Sequence, residues 1–159
     1  MQPRATQASP LSRRGQRGFT LVEALVALIV LAVGLLGIAA LYVESLSASR
    51  SALLRTHAVN LAADMADRIR ANRTAGIAYD TASGNTGGAE NTACETTAGC
   101  AAADLAAHDV FRWMARGNDL LPGFTAEIDF TDAVPDVYVI TVSWTEPEGA
   151  ATYALRIEA

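Results

Sequence analysis

The sequence predicts an α+β chain in which one long N-terminal helix, membrane-spanning in its first half, carries a C-terminal antiparallel sheet of about three strands on its second half. Three observations point there. Residues 24–43 hold twenty consecutive positions without a charge. Between Leu46 and Ile69 apolar residues recur at helical spacing along one side. After Leu121-Pro122-Gly123 the apolar period drops to two. The 159 residues suit one folded domain with chain left for an anchor. Aromatics make up only 6%, so the core must be small and largely aliphatic.

The first 18 residues carry Arg4, Arg13, Arg14 and Arg17 and no acid. Every one of the twelve cations in the chain is Arg. Removing that basic segment leaves eight Arg against 17 acids, a net charge of −9 over 141 residues. So acidic a body has little with which to neutralise phosphates, which argues against nucleic-acid binding. Twenty uncharged residues make a helix about 30 Å long, the thickness of a bilayer core. Arginine on its N-terminal side orients that end toward the cytoplasm and the chain from about Glu44 toward the outside.

A secretory signal peptide or a plain signal anchor has the same outline, and Ser45 to Ser49 resembles a small-residue cleavage site. The apolar run, however, exceeds the ~7–15 residues of a cleaved signal. Glu23 also fits poorly, because a carboxylate inside a span costs about 2.5–3.5 kcal/mol on insertion scales. It sits one helical turn beyond Phe19 on the same face, so an amine created at Phe19 by a cut after Gly18 would lie within reach of a carboxylate on this or a neighbouring helix. The plainer alternative is an interfacial acid that favours the positive end of the helix.

Arg17-Gly18-Phe19-Thr20-Leu21-Val22-Glu23, followed by an uncharged helix, resembles the class III leader of type IV pilins and pseudopilins. The resemblance implies that a membrane prepilin peptidase cuts after Gly18 and methylates the new terminus at Phe19. It makes Glu23 the assembly glutamate. Residues 1–18 are then a cleaved leader, 19–43 the transmembrane or filament-core half of the helix, 44–73 its amphipathic half, and 74–159 a periplasmic globular region.

The stripe Leu46, Leu53, Leu54, Ala58, Leu61, Met65, Ile69 continues the helix, with Arg50 and His57 intruding on one flank. No Pro occurs between Pro10 and Pro122, so a single helix of roughly 50 residues, about 75–80 Å long, is expected. Met65 to Arg73 reads MADRIRANR and precedes Tyr79. On its own such a stretch means a solvated face, with Asp64, Asp67, Arg68 and Arg70 paired one turn apart. In combination with the leader it is similar to a block in the type IV pilus modification (PilV-type) minor pilins.

Residues 74–100 are poor in bulky apolar side chains beyond Ile77 and Tyr79, and read as a long surface loop. Its glycines are not a phosphate loop, since no Gly-Lys-Ser/Thr follows. Cys94 and Cys100 close it; outside the membrane such a pair is most simply a disulfide, contributing about 2 kcal/mol in the loop-entropy treatment. Metal binding and redox chemistry are the alternatives, disfavoured by two distant His and by a spacing other than Cys-x-x-Cys. A short helix is expected over residues 104–116, with Ala106, Val110, Trp113 and Met114 inward and Gly117 just past its end. Asp109 and Trp113, one turn apart, resemble a feature of the same minor pilins, although a core tryptophan explains Trp113 as well.

In the last part, Phe124, Ala126, Ile128 and Phe130 alternate with polar residues, as do Tyr138, Ile140, Val142 and Trp144, and then Tyr153, Leu155 and Ile157. Turn chemistry separates the runs at 132–136 and 146–149. This predicts a meander with one apolar face, which the one-sided half of the helix would cover.

No catalytic residues, cofactor or metal site are expected. His57 and His108 belong to separate helices, no nucleophile elbow occurs, and the carboxylates read as solvated surface. The expectation is a structural assembly protein: a minor pilin of a type IV pilus, with roles in biogenesis, twitching motility or adhesion. The implied partners are prepilin peptidase, other major and minor pilins and an inner-membrane assembly platform. The implied location is the inner membrane, single-pass, with passage into an extracellular pilus. A minor pseudopilin of type II secretion and a signal-anchored periplasmic binding domain are the alternatives.

Overall fold

The computed structural model describes residues 18–83, 90–96 and 99–159. The chain divides into two units, Met1–Glu44 and Ser45–Ala159. Helix α1 (Leu21–Ala71) contributes to both. In the first unit its apolar side chains are exposed, from Leu21 to Val43. Among the described residues it is the one helix long and apolar enough to cross a membrane.

Within the second unit α1 is one-sided. Leu54, Ala58, Leu61, Ala62, Met65, Ala66 and Ile69 are buried, a stripe that recurs every three to four residues. Leu46 and Leu53, expected in that stripe, are instead exposed. The buried face starts at Leu54, although the Ser47 and Ser51 hydroxyls before it already reach Glu148 and Glu146. Then come α2 (Ala102–Leu120) and the strands β1 (Thr125–Thr131), β2 (Val137–Glu146) and β3 (Gly149–Glu158). The sheet is an antiparallel meander in the order β1-β2-β3. Its register stacks Ala126, Val142 and Tyr153 in one inward row, Ile128, Ile140 and Leu155 in the next, and Phe130, Tyr138 and Ile157 in a third. These rows, the stripe of α1 and the inner side of α2 form a single core. The α+β pilin-type fold expected from the sequence is the fold observed.

Trp113 anchors α2. Its ring is fully buried, its Nε1–H donates to the Leu61 carbonyl of α1 at 2.8 Å, and it meets Phe124 edge to face, with centroids 6.1 Å apart. The helix is longer than expected because Gly117 does not end it. Gly117 is a buried position inside α2, and a Cβ there would clash with the edge of the Phe124 ring. Its glycine serves a close approach rather than a C-cap.

The described parts of the stretch read as a loop hold regular segments. A 3-10 segment, Arg73–Tyr79, is broken at Gly76, whose φ of +49° suits glycine. Tyr138 donates its hydroxyl to the Gly76 carbonyl at 3.2 Å. Tyr79 is fully buried, so it belongs to the core and not to a surface loop. A second 3-10 turn, Thr92–Glu95, lies against α2, where the Asn91 N–H donates to His108 Nδ1 at 3.1 Å and Arg112 pairs with Glu90 at 2.8 Å. Cys94 and Cys100 are joined by a disulfide.

Candidate functional site

The N-terminal site is built on the first turn of α1. Thr20 precedes the helix, and its hydroxyl accepts the Glu23 N–H at 3.3 Å while its carbonyl accepts the Ala24 N–H at 3.2 Å. Thr20 is therefore the N-cap, and Thr20-Leu21-Val22-Glu23 has the spacing of a capping box. That signal is present in the sequence, yet the cap was not among the expectations. Glu23 is the acid of the first turn, where the helix dipole favours negative charge.

Gly18 and Phe19 lie just ahead of the helix and are exposed. No atom lies within 4 Å of a Cβ built on Gly18. Among the described residues nothing requires glycine there. Arg4, Arg13, Arg14 and Arg17 fall outside the described residues.

The second feature is a polar cluster where α1 ends. Arg68 donates from Nη1 to Asp109 at 2.7 Å and from Nε to Asp64 at 3.3 Å. Tyr79 donates its hydroxyl to the other Asp109 oxygen at 2.9 Å and accepts from Asn72 Nδ2 at 3.3 Å. Asn72 also donates to the Ala102 carbonyl at 2.8 Å, so α1, the 3-10 segment and α2 meet here. Burial pushes the Tyr79 hydroxyl well above the ordinary phenol range, which keeps it a donor. Burial alone would lower Arg68; its hydrogen bond to Asp109 and the charges of Asp64 and Asp109 outweigh that and raise it. The reading of MADRIRANR as a merely solvated face holds for Arg70–Asp67, an exposed pair at 3.2 Å, but not for Arg68.

The third feature ties the β2–β3 hairpin to α1. Glu146, expected as solvated turn chemistry, is buried at the end of β2. It accepts from Ser51, from Arg55 Nε at 3.3 Å and from Trp144 Nε1 at 3.0 Å. The hydrogen bonds from Ser51 and Arg55 hold its carboxyl below the usual carboxylate range. Each of these clusters satisfies its polar atoms internally, and among the described residues no group of three or more His, Cys, Asp or Glu converges as a metal site would require. What the arrangement does chemically is to lock helices and sheet together.

Two families match the chain. The prokaryotic N-terminal methylation motif matches residues 13–39, which include Gly18, Phe19 and Glu23. The Tt1218-like family, described as type IV pilin Tt1218, matches residues 40–111, which hold the rest of α1 and the Arg68, Tyr79 and Asp109 cluster. The chain is a type IV pilin-like precursor. Comparison with curated proteins gives no match, and comparison with solved structures gives none either. For this pilin-like chain the methylation motif implies processing by prepilin peptidase and association with other pilins. Its long apolar helix fits membrane anchoring and entry into a pilus.

Proposed function

We propose that the chain is a minor pilin of a type IV pilus, made with residues 1–18 as a leader. Prepilin peptidase cuts after Gly18 and methylates Phe19. Residues 19–43 then cross the inner membrane with their N-terminal end in the cytoplasm, and residues 44–73 join them to a periplasmic region, 74–159. Glu23 serves assembly, its carboxylate meeting the methylated amine of a neighbouring subunit's first residue. The assembled protein contributes to pilus biogenesis, twitching motility or adhesion.

The observation that carries this reading is the methylation-motif match over residues 13–39, directly ahead of and into a helix whose apolar side chains from Leu21 to Val43 are exposed among the described residues. The PilV-type assignment rests on the sequence block around Asp67-Arg68-Ile69-Arg70-Ala71-Asn72. Intact mass of the membrane-extracted protein tests the processing. The expected species begins at Phe19 and carries one added methyl group, whereas Gly18→Glu leaves only precursor. Met1 retained on the wild-type membrane protein would sink the reading in favour of a signal anchor. Recovery in sheared pili separates a pilus subunit from a type II secretion pseudopilin, which carries the same kind of leader.

A further inference from the structure

The two edges of the sheet differ. The outer edge of β1 is closed at its middle, where the Thr81 and Ala82 N–H groups donate to the Ile128 carbonyl at 2.9 and 3.3 Å. The Ile128 N–H in turn donates to Thr81 Oγ1 at 2.6 Å. Among the described residues β3 has no such cover. Glu146 pairs with Gly149 across a two-residue turn, and at the far end the Ala159 N–H donates to the Asp136 carbonyl at 2.9 Å. These two anchors fix the alternation along the ladder. Main-chain groups of Ala151, Tyr153 and Leu155 face β2, and those of Ala150, Thr152 and Ala154 face away. Thr145 agrees, since it lies opposite Ala150 and turns its N–H to the Pro122 carbonyl at 2.8 Å. Among the described residues no hydrogen bond from outside the ladder reaches the outward groups of Ala150, Thr152 and Ala154.

Free edges are normally guarded by a charge, a proline or a bulge. From Gly149 to Leu155 there is no charge and no proline. Beside this edge a cavity of about 520 Å³ opens between α1 and the strand, lined by Arg55, Val59, Trp144, Ala151 and Tyr153 among others. Arg55 is the one charged residue of that lining; it pairs with Glu146 at 3.3 Å, and its side chain is still 67% exposed.

We propose that the outer edge of β3 receives an extended segment of a different pilin subunit, which adds a fourth strand, seats an apolar side chain beside Trp144 and Tyr153, and turns a carboxylate toward Arg55. A row of alternating N–H and C=O groups is matched by an extended main chain and by nothing more compact. Arg55 already pairs with Glu146, and the exposed remainder of its guanidinium favours an acidic neighbour. A second copy of this chain fits poorly. Its β1 edge is closed at Ile128, and the run Gly149–Leu155 of its β3 edge holds no acid for Arg55, Glu158 standing only at the last position of the strand. The proposal rests on the pilin reading, since a neighbouring pilin is what assembly would bring alongside.

The test uses the full chain in cells that make pili, with a benzophenone amino acid at Thr152 and, as control, at Glu127 on β1. Irradiation at Thr152 is expected to give a cross-link, at least tenfold above the control, to one extended segment of another methylation-motif protein identified by mass spectrometry. Cross-links only to a second copy, only to a protein that is not a pilin, or at the level of the control would overturn the proposal. Ala154→Pro removes an outward N–H and spares the β2 ladder. It should keep the disulfide and protease resistance while losing the Thr152 cross-link at least tenfold; an undiminished cross-link counts against strand addition. If Ala154→Pro does not fold, the cross-link on the unaltered main chain decides. A wild-type chain that is never processed at Gly18 breaks the pilin reading, whereas a processed chain in sheared pili without the cross-link breaks only the edge proposal.

Discussion

Replacing Tyr79 with Phe removes one oxygen from the cluster at the end of α1 and leaves the ring in place. The hydroxyl donates to Asp109 at 2.9 Å and accepts from Asn72 at 3.3 Å. Asp109 is 8% exposed, so water does not readily replace the lost donor. A hydrogen bond to a charged acceptor contributes about 1.5–3 kcal/mol, and Arg68 still pairs with the same carboxylate, so a loss of about 2 kcal/mol is expected. A unit the size of residues 45–159 unfolds with an entropy of about 0.24 kcal/mol/K, which converts that loss into a fall of about 8 °C in Tm. The assay is thermal unfolding of the detergent-extracted full chain, followed by near-ultraviolet circular dichroism. In an Asp109→Ala background the same substitution should cost about half as much, because its main acceptor is gone. A Tyr79→Phe shift within 2 °C of zero, or equal losses in both backgrounds, would refute the coupling between the two side chains.

Gly117→Ala gains about 1 kcal/mol of helix propensity but forces the Phe124 ring aside, an overpacking cost of about 1–3 kcal/mol; net destabilisation and altered Trp113 fluorescence are expected, and a raised Tm would contradict the close contact. Glu146 has a depressed carboxyl, so the stability it contributes is complete above the ordinary value of 4.5 and is lost as pH falls through the lower folded value. Hydrogen exchange over residues 144–150 should therefore accelerate below about pH 4.5 in the wild type and show no such acid step in Glu146→Gln; identical profiles would exclude Glu146 as the titrating group. Glu23→Ala removes a costly charge from the apolar segment, so membrane insertion and cleavage should persist while the protein's share in sheared pili, relative to the membrane fraction, drops at least tenfold. Undiminished incorporation would leave Glu23 as an acid that serves only the helix start.

What could be read in advance was local. The uncharged run, the stripe from Leu54 to Ile69 and the three alternating strands are short-range patterns, and the structure follows them. What escaped is long-range. Tyr79 meets Asp109 thirty positions away, and Glu146 meets Ser51 across 95, so neither carboxylate announces its burial in its own neighbourhood. Gly117 misled because a glycine after Arg116 resembles a helix end, and only the Phe124 ring reveals its purpose. Leu46 and Leu53 share the periodicity of the core without sharing its burial, since period reports a helix face but not whether anything covers it. At the N-terminus the motif itself was legible, whereas the Thr20 cap went unread although its spacing to Glu23 carries the signal.

The way Trp113 and Glu146 grip α1 has a mechanical side. A subunit held in a fibre transmits traction along its long helix. Between Ser51 and Leu61 that helix is fastened laterally, by the Glu146 carboxylate at one point and by the Trp113 indole on the Leu61 carbonyl at the other. Lengthening this stretch would shear both fastenings at once, and bonds loaded together yield later than bonds loaded in turn. From Leu21 to Glu44 no such lateral fastening exists among the described residues, and Gly34 and Gly37 are the weakest helix formers of that stretch. Under load the elastic give of the subunit is thus expected in that apolar stretch, while the gripped part of α1 behaves as a stiff rod.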